Sequence, residues 1–327
     1  MTEWAGPMRL ALDAAGRARR DAPPNPWVGA VVIDAAGEVV GVGATRPPGG
    51  DHAEVVALAA AGERARGGTI VVTLEPCDHV GRTGPCTEAI VAAGLRRVVV
   101  GMEDPDARVA GRGLARLRGA GLDVILGEGA DAVAEQLAPY LVHRRTGRPY
   151  VVAKVAATLD GVVAMADGTS QWITGEAARA DAHELRADSQ AILVGAGTVR
   201  ADDPALTARL PDGVREPLRV VLGHAPAQAR VRPCLEVSGP LEPILEDLGR
   251  RGVVQLLVEG GPRTVSQFVA AGLVDRFVWY VAPAWAGGAG TRPALDGLST
   301  PTIRDLGRGR IVGVRAVGED IRIDVEV

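Results

Sequence analysis

The chain has 327 residues, of which 47% are hydrophobic and 23% are charged, a composition typical of globular proteins. This length exceeds that of a usual single domain, so two domains are expected, each with its own core. The net charge of −4 and the aromatic content of 3% argue against a protein that grips a long nucleic acid strand.

The apolar runs, the first residues and the cysteine count indicate where in the cell the protein is expected. No apolar run reaches the roughly 18 to 20 residues of a membrane helix, and the first residues lack the basic segment and apolar core of a secretory signal. Three cysteines are too few for a disulfide framework. We therefore expect a cytoplasmic protein without membrane contacts, in which two cysteines serve a metal and Cys234 is spare.

The first half of the chain alternates helices with strands. The predicted helices span 8–20, 52–61, 87–93, 113–120 and 132–142, and the predicted strands span 28–33, 38–42, 69–74, 98–100 and 124–126. This alternation predicts a largely parallel sheet covered on both faces. The basic run 143–149 is interpreted as a solvated linker, which gives domains 1–145 and 146–327.

A second alternating pattern follows this linker. The predicted strands span 150–156, 191–194, 218–222, 253–258 and 276–281, and the predicted helices span 175–187, 241–251 and 263–271. The tail, 311–327, is typical of a closing hairpin. The sequence therefore predicts two small α/β domains.

The first domain contains a candidate zinc site. His52, Cys77 and Cys86 offer one imidazole and two thiolates, which leave a fourth tetrahedral position for water, as in catalytic zinc sites. Zinc lowers the pKa of such a water from about 15.7 to about 7. Glu54 is predicted to carry the proton of this water to a leaving nitrogen. The pattern follows the logic of zinc nucleobase deaminases, although its cysteines lie farther apart.

Two neighbouring residues leave alternatives open. A structural zinc site normally has four protein ligands, and His79 would be the fourth here. Because 81–84 read Gly-Arg-Thr-Gly, we instead interpret His79 as part of a loop that faces the substrate. Asn25, in a Pro-Asn-Pro-Trp turn, is predicted to hydrogen bond to the substrate ring, with an ordinary turn asparagine as the alternative.

The phosphate-binding signals lie in the second domain. Gly260-Gly261-Pro262 follows a strand and opens a helix, where free N–H groups and the helix dipole can bind a phosphate. Gly195-Ala196-Gly197 follows another strand, but the third glycine of the Rossmann fingerprint is missing. A dinucleotide site and simple tight turns are both open. Arg186 and Arg209 could clamp a substrate phosphate, or be surface arginines.

Together these motifs resemble the bifunctional pyrimidine deaminase/reductase family of riboflavin biosynthesis. The similar stretches in the first half are 24–29, 52–54, 73–86, 104–105 and 109–113. Those in the second half are 159–161, 170–175, 185–187, 195–198, 202–204, 206–209 and 259–262. The wide cysteine spacing matches this family.

The resemblance implies a cytidine-deaminase-like three-layer α/β/α domain followed by a dihydrofolate-reductase-like α/β domain. The first domain is expected to remove ammonia from 2,5-diamino-6-(5-phosphoribosylamino)pyrimidin-4-one. The second is expected to use NADPH to reduce the ribosyl group of 5-amino-6-(5-phosphoribosylamino)uracil to a ribityl group. The implied cofactors are Zn²⁺ and NADPH, and the implied partner is a small phosphorylated pyrimidine.

The resemblance also implies roles by position. Zinc is expected at His52, Cys77 and Cys86, with Glu54 as the catalytic proton shuttle. NADPH is expected to contact Ala157, Trp172, Thr198, Asp202, Gly261, Pro262, Arg263 and Thr264. Substrate is expected to contact Asn25, His79, Lys154, Ser170, Arg186, Leu206, Arg209 and Glu259.

Two other functions remain open at this point. One is a nucleoside or nucleic-acid zinc deaminase with an unrelated C-terminal domain, which for a strand would require a basic or aromatic track. The other is a non-catalytic module stabilised by zinc, for which Glu54→Gln would leave every function intact. The oligomeric state is also open, with a homo-oligomer as one alternative.

Overall fold

The structure, a computed structural model, describes residues 2–79, 84–106 and 109–327. It divides into two compact units, of which the first ends at Gly147 and the second spans Arg148–Val327. The boundary expected from the sequence, between residues 145 and 146, lies two residues earlier. Among the described helices, none combines the length and apolar character needed to cross a membrane.

The first unit is built around one mixed sheet. Its strands are β1 (Gly29–Ile33), β2 (Val39–Ala44), β3 (Thr69–Leu74), β4 (Arg97–Met102) and β5 (Asp123–Leu126). Its helices are α1 (Ala5–Ala18), α2 (Ala53–Ala61), α3 (Cys86–Ala92), α4 (Arg112–Gly119), α5 (Ala130–Gln136) and α6 (Ala138–Thr146), with a short 3-10 helix at Gly62–Ala65. The strand order is β2-β1-β3-β4-β5.

Strand β1 is antiparallel to both of its neighbours, β2 and β3, whereas β3, β4 and β5 are mutually parallel. The expected largely parallel sheet is therefore found only from β3 to β5. The short turn between β1 and β2 permits only antiparallel pairing of these two strands. Strand β3, which is reached through α2, runs in the same direction as β2 and is therefore also antiparallel to β1. Strands β1 and β3 are buried along their whole length.

Glycines allow two helices to lie close against this sheet. A Cβ atom on Gly29 of β1 would lie 1.8 Å from the carbonyl oxygen of Ala11 in α1. A Cβ atom on Gly43 of β2 would lie 2.2 Å from the carbonyl oxygen of Ala53, the first residue of α2. The start of α2 is thereby held against the end of β2.

We expect Gly29→Ala to lower the free energy of unfolding of the first unit by at least about 2 kcal/mol, because the added methyl group meets a backbone oxygen in a packed layer. Gly119→Ala is the matched control, since a Cβ atom at Gly119 would meet nothing within 4 Å. Urea unfolding of both variants measures the difference. Equal midpoints for the two variants would show that the helix and the sheet can separate freely.

The second unit contains a larger sheet. Its strands are β6 (Tyr150–Thr158), β7 (Val162–Ala164), β8 (Ala191–Gly195), β9 (Ala208–Leu210), β10 (Gly213–Arg215), β11 (Leu218–Leu222), β12 (Leu235–Val237), β13 (Gln255–Val258), β14 (Arg276–Ala282), β15 (Arg292–Pro293), β16 (Arg310–Val317) and β17 (Asp320–Glu326). Its helices are α7 (Glu176–Ala187), α8 (Ala196–Asp202), α9 (Leu241–Arg250) and α10 (Pro262–Ala270), with a 3-10 helix at Ile303–Asp305.

Eight of these strands form one sheet, in the order β12-β11-β8-β13-β6-β14-β17-β16. The strands from β12 to β14 are parallel, and the hairpin β16-β17 adds to β14 in antiparallel fashion. The closing hairpin predicted from the tail is thus confirmed. Helices α9 and α10 cover one face, where Leu245 and Phe268 are fully buried.

Several predicted elements were wrong in detail. The expected helix 132–142 is two helices, α5 and α6, and α6 continues through most of the basic run that was taken for a linker. Basic residues in a last helical turn are stabilised by the helix dipole, and Gly147, in the left-handed conformation, ends the helix. Tight turns were one alternative after β8, but α8 begins there directly. Strands β7, β9, β10, β12 and β15, of two or three residues, were not predicted.

Candidate active sites

Three segments of the first unit meet at one edge of its sheet. Because β1 is antiparallel to β2 and β3, its start lies beside the ends of both, as the pairs Gly29↔Ala44 and Ala30↔Val72 show. Asn25 precedes β1, His52 follows β2 and Cys77 follows β3. Asn25 is half-buried, in a turn closed by its backbone N–H, which donates to Ala22 O at 3.0 Å.

The candidate zinc ligands converge in this region. His52 Nδ1 lies 3.2 Å from Cys86 Sγ and 3.5 Å from Cys77 Sγ. Ligands that surround a tetrahedral zinc ion at about 2.0 to 2.3 Å are themselves about 3.5 Å apart, so this spacing fits zinc. Within the parts of the chain that the structure describes, no fourth His, Cys, Asp or Glu joins the group.

Local structure positions each of these three side chains. His52 is the N-cap of α2, and Cys86 is the first residue of α3, a place where the helix N-terminus stabilises a thiolate. The backbone N–H of Thr87 donates to Cys77 O at 3.2 Å. The Thr87 hydroxyl donates to Asp78 at 2.5 Å, which fastens the loop of Cys77 to α3.

The charges of the site also fit a cation. A hydrogen bond from the Cys86 thiol, helped by His52, lowers the pKa of Cys77 to about 4. The neighbouring Cys77 thiolate and burial then raise the pKa of Cys86. Without a cation, only one of the two thiols therefore ionises readily, and a divalent ion between them would allow both to be thiolates.

Glu54 lies beside this group, in the first turn of α2, and is only 3% exposed. Burial, with the nearby Cys77 thiolate, raises the pKa of Glu54 to about 7. His79 is outside the ligand group, and its Nδ1 is buried without a hydrogen-bond partner among the described residues. The rest of the expected substrate loop, 81–83, lies outside the described residues.

Glu75 is a residue that sequence reasoning missed. Its buried carboxylate accepts three backbone N–H groups, from Asp104 at 3.2 Å, Gly111 at 2.9 Å and Leu114 at 3.2 Å. It thereby joins the end of β3, just before Cys77, to the start of α4. A carboxylate directly before Pro-Cys at the end of a buried strand was the only signal in the sequence.

The second unit has a cleft of about 990 Å³ where its parallel strands β6, β8, β11 and β13 end. Clefts of this size and place commonly bind cofactors in α/β folds. The predicted residues that line it are Lys154, Ser170, Trp172, Arg186, Thr198, Asp202, Leu206, Arg209, Glu259, Gly261, Pro262, Arg263 and Thr264. Ala157 is the exception, because it is 1% exposed in a small apolar cluster, while Ala156 lines the cleft.

An ion pair lies in this cleft. Arg186 donates two hydrogen bonds to Glu259, at 2.6 and 2.7 Å, and a third to Thr207 O at 3.1 Å. Burial alone would raise the pKa of Glu259, but Arg186 lowers it to about 2. Burial lowers the pKa of Lys154, which also faces both members of the pair. The two residues predicted separately to bind substrate are thus one unit.

Two chain turns approach each other in the same cleft. A Cβ atom on Gly195, before α8, would lie 2.4 Å from Thr264 Oγ1, and a Cβ atom on Gly261, the N-cap of α10, would lie 3.0 Å from Thr198 Oγ1. The start of α10 therefore lies beside the end of β8. A helix start of this kind offers free N–H groups to a phosphate.

The remaining predicted residues lie around the cleft. Ser170 Oγ donates to Asp202 at 3.2 Å, and Arg179 stacks on the exposed Trp172 ring at 4.7 Å from its centroid. Leu206 is buried with a φ of 51°, which few L-residues adopt. Arg209 is exposed, and its guanidinium donates to Thr207 Oγ1 at 3.3 Å.

Comparison with known proteins agrees with the two sites. A family model of the cytidine and deoxycytidylate deaminase zinc-binding region matches residues 2–102, and a model of the RibD C-terminal domain matches residues 149–323. With the His-Cys-Cys group and the second cleft, these matches define a zinc-dependent deaminase joined to a reductase.

Relatives that match over both units identify the family more specifically than the two domain models do. The riboflavin biosynthesis protein RibD of Mycobacterium tuberculosis (strain H37Rv) is 44% identical over 330 residues, or 97% of this chain and 96% of that protein. That of Escherichia coli (strain K12) is 39% identical over 363 residues, or 96% of each chain.

Solved structures agree with these relatives. Acinetobacter baumannii RibD, form 1, has a TM-score of 0.91 at 36% identity and covers 98% of this chain and 97% of its own. A deaminase/reductase from Thermotoga maritima has a TM-score of 0.91 at 32% identity, over 99% and 98% of the two chains.

The chain belongs to the riboflavin biosynthesis protein RibD family. It is a bifunctional enzyme, a deaminase and a reductase, and its cofactors are Zn²⁺ and NADPH. The resemblance and the fold class predicted from the sequence are confirmed. A deaminase with an unrelated C-terminal domain is not favoured, because the matches extend over both units.

Proposed function

We propose that the first unit deaminates 2,5-diamino-6-(5-phosphoribosylamino)pyrimidin-4-one. The second unit then reduces the ribosyl group of 5-amino-6-(5-phosphoribosylamino)uracil to ribityl. The observation that carries the proposal is the convergence of His52, Cys77 and Cys86 beside a buried Glu54. The relative from Thermotoga maritima is described as a deaminase and reductase of this kind, diaminohydroxyphosphoribosylaminopyrimidine deaminase/5-amino-6-(5-phosphoribosylamino)uracil reductase.

In the first unit, His52, Cys77 and Cys86 would hold Zn²⁺, which when bound makes water a stronger acid and a ready nucleophile. Glu54 accepts a proton as water attacks the amidine-like ring carbon and donates it to the departing amino nitrogen. One water is consumed and one ammonia is released. His79 Nδ1, which has no hydrogen-bond partner among the described residues, and the turn that carries Asn25 supply polar groups for the ring.

In the second unit, Arg186, Glu259 and Lys154 bind the phosphorylated sugar. Arg186 uses three of its five N–H groups within the protein, so two remain for a substrate phosphate or hydroxyl. NADPH, when bound, supplies the hydride. The start of α10, with Gly261, Pro262, Arg263 and Thr264, and the residues Trp172, Thr198 and Asp202 hold the cofactor so that it faces the sugar.

The proposal also covers location and partners. A cytoplasmic enzyme that binds neither nucleic acid nor a membrane agrees with the net charge of −4 and the aromatic content of 3%. The homo-oligomer that the sequence left open is tested by light scattering on the full chain.

Zinc content and the two reactions test the proposal together. We expect about one zinc per wild-type chain, and at least ten-fold less zinc and ammonia release in Cys86→Ser, because a ligand is weakened. NADPH oxidation with pre-deaminated substrate should persist in this variant. Cys234→Ser is the matched control and should keep its zinc.

His79→Ala distinguishes the catalytic site from a structural one. We expect this variant to keep zinc and to bind the first substrate more weakly, because His79 lies outside the ligand group. Loss of zinc from His79→Ala would instead assign it as a fourth ligand. A wild-type chain that releases no ammonia from the diaminopyrimidine would refute the first half of the proposal.

A further inference from the structure

Arg200 and Arg230 are two arginines of the second cleft to which the proposed reaction gives no role. Arg200 and Arg230 both line the cleft and are exposed. Among the residues that the structure describes, neither guanidinium has a hydrogen-bond or ion-pair partner. The other arginines of the cleft that are engaged are Arg186 with Glu259, Arg263 with Asp296, Arg179 with Thr174 and Trp172, and Arg209 with Thr207.

These two arginines lie on the same side of the cleft. Arg200 is in the last turn of α8, and Asp203 is the C-cap of that helix. The backbone N–H of Arg230 donates to Asp203 Oδ1 at 2.8 Å. The neighbours of Arg230 in the chain, Ala229 and Val231, are 9% and 0% exposed, so the segment is anchored while the guanidinium stays in solvent.

The strand order places this pair away from the reacting groups. Glu259 follows β13, whereas the segment with Arg230 follows β11, and β8 lies between these strands. Neighbouring strands are about 4.8 Å apart, so the two ends are separated by roughly 10 Å. The nicotinamide of the cofactor must face the sugar, which is held at Glu259. The adenosine, at the other end of the cofactor, must then lie farther along the cleft.

The position of the cofactor phosphates gives the direction of the adenosine. The start of α10, which offers free N–H groups, lies against Gly195 at the end of β8. A pyrophosphate bound there lies between β13 and β11, so the adenosine continues toward Arg230. The remaining arginine, Arg292, lies in β15, which pairs with β7, and β7 follows β6 and not β11 in the chain.

The charges near β11 favour an adenosine ribose that carries a 2′-phosphate over one that carries a free 2′-hydroxyl. A protein that binds NAD through its ribose places a carboxylate near the 2′-hydroxyl. Here β11 is followed by Gly223 and His224, and Glu236 is already held by His224 at 2.9 Å and by Arg232 at 2.5 Å. Of the two carboxylates at the end of α8, Asp203 accepts the backbone N–H of Arg230 and Asp202 accepts the Ser170 hydroxyl.

We propose that Arg230 and Arg200 clamp the 2′-phosphate of the adenosine ribose of NADPH, and that they make the reductase unit select NADPH over NADH. Guanidinium groups bind phosphate oxygens through paired, charge-assisted hydrogen bonds. The inference rests on the reductase function proposed above and adds the residues that discriminate between the two cofactors.

Binding of cofactor fragments to the full, zinc-loaded chain tests this inference without turnover. Calorimetry would compare 2′,5′-ADP, which carries the 2′-phosphate, with ADP, which lacks it. We expect Arg230→Ala and Arg200→Ala each to weaken 2′,5′-ADP and NADPH at least ten-fold, and to change the affinities for ADP and NADH less than two-fold. Arg250→Ala, which removes an exposed arginine of α9, is the matched control. Thermal unfolding of each variant checks its fold.

Each other result has a defined meaning. Unchanged binding of 2′,5′-ADP by both variants, or equal weakening of ADP and 2′,5′-ADP, overturns the clamp. Weaker binding of the phosphorylated uracil with unchanged binding of 2′,5′-ADP assigns the arginines to the substrate and also overturns it. A wild-type chain that binds neither NADPH nor 2′,5′-ADP refutes the proposed cofactor site itself.

Discussion

Ammonia release is expected to fall by about 10² to 10⁴-fold when Glu54 is replaced by Gln, the range typical for loss of a general acid–base group. Glutamine has almost the same shape as glutamate but cannot accept the proton of the attacking water. Because Glu54 is adjacent to the ligand group and not part of it, zinc content should not change. Reduction of pre-deaminated substrate should also persist, since this step belongs to the other unit.

The control for Glu54→Gln is Glu63→Gln, which changes an exposed carboxylate of the 3-10 helix that follows α2. We expect this variant to release ammonia at the wild-type rate. Zinc content by atomic absorption and ammonia by a coupled assay are measured on the same samples. Ammonia release that persists in Glu54→Gln would contradict the shuttle role, and loss of zinc would make Glu54 a ligand.

The second large effect is expected in the reductase unit, where Arg186→Ala should raise the KM for the phosphorylated uracil at least ten-fold and that for NADPH much less. The variant also leaves the buried Glu259 carboxylate without its partner, which costs about 3 to 5 kcal/mol of stability. Steady-state kinetics with each substrate varied, together with urea unfolding, measure the two effects. Ammonia release by the first unit should be retained.

A double variant separates substrate binding from stability. In Arg186→Ala with Glu259→Gln, the Glu259 carboxylate is no longer left without its guanidinium, so part of the lost stability should return. The return should be incomplete, because Lys154 loses the carboxylate that it faces. The affinity for the phosphorylated uracil should not return, because the guanidinium is still missing. Recovery of both, or equal weakening of uracil and NADPH in the single variant, would assign the pair a structural role only.

The zinc group shows how much of a site a sequence can predict. A set of one His and two Cys with a nearby glutamate can be recognised in a sequence, because only a few residue types bind zinc. The edge of the sheet at which they meet was not predicted, because β1 pairs in antiparallel fashion with both neighbours and thereby brings Asn25 to the same edge. Glu75 was missed because its partners are backbone N–H groups far along the chain.

The reductase cleft shows the limits more clearly. Arg186 and Glu259 were named separately, but the sequence could not show that they form one buried ion pair across 73 positions. Ala157 was expected at the cofactor, yet its side chain is buried, and Ala156 lines the cleft instead. In a strand, neighbouring side chains point to opposite faces, so the side chain of Ala156 faces the cleft and that of Ala157 does not. Contact between Ala157 and the cofactor stays a prediction.

The sequence by itself predicted the two α/β units and the zinc ligand set, because both depend on residue types and on their pattern along the chain. The two reactions followed from the resemblance of its motifs to a known family. The tertiary structure decided which strands are antiparallel, which charges are paired and which arginines of the cleft stay unengaged. These features arise from contacts between segments that are distant in the chain. Local propensity and hydrophobic periodicity carry no information about such contacts.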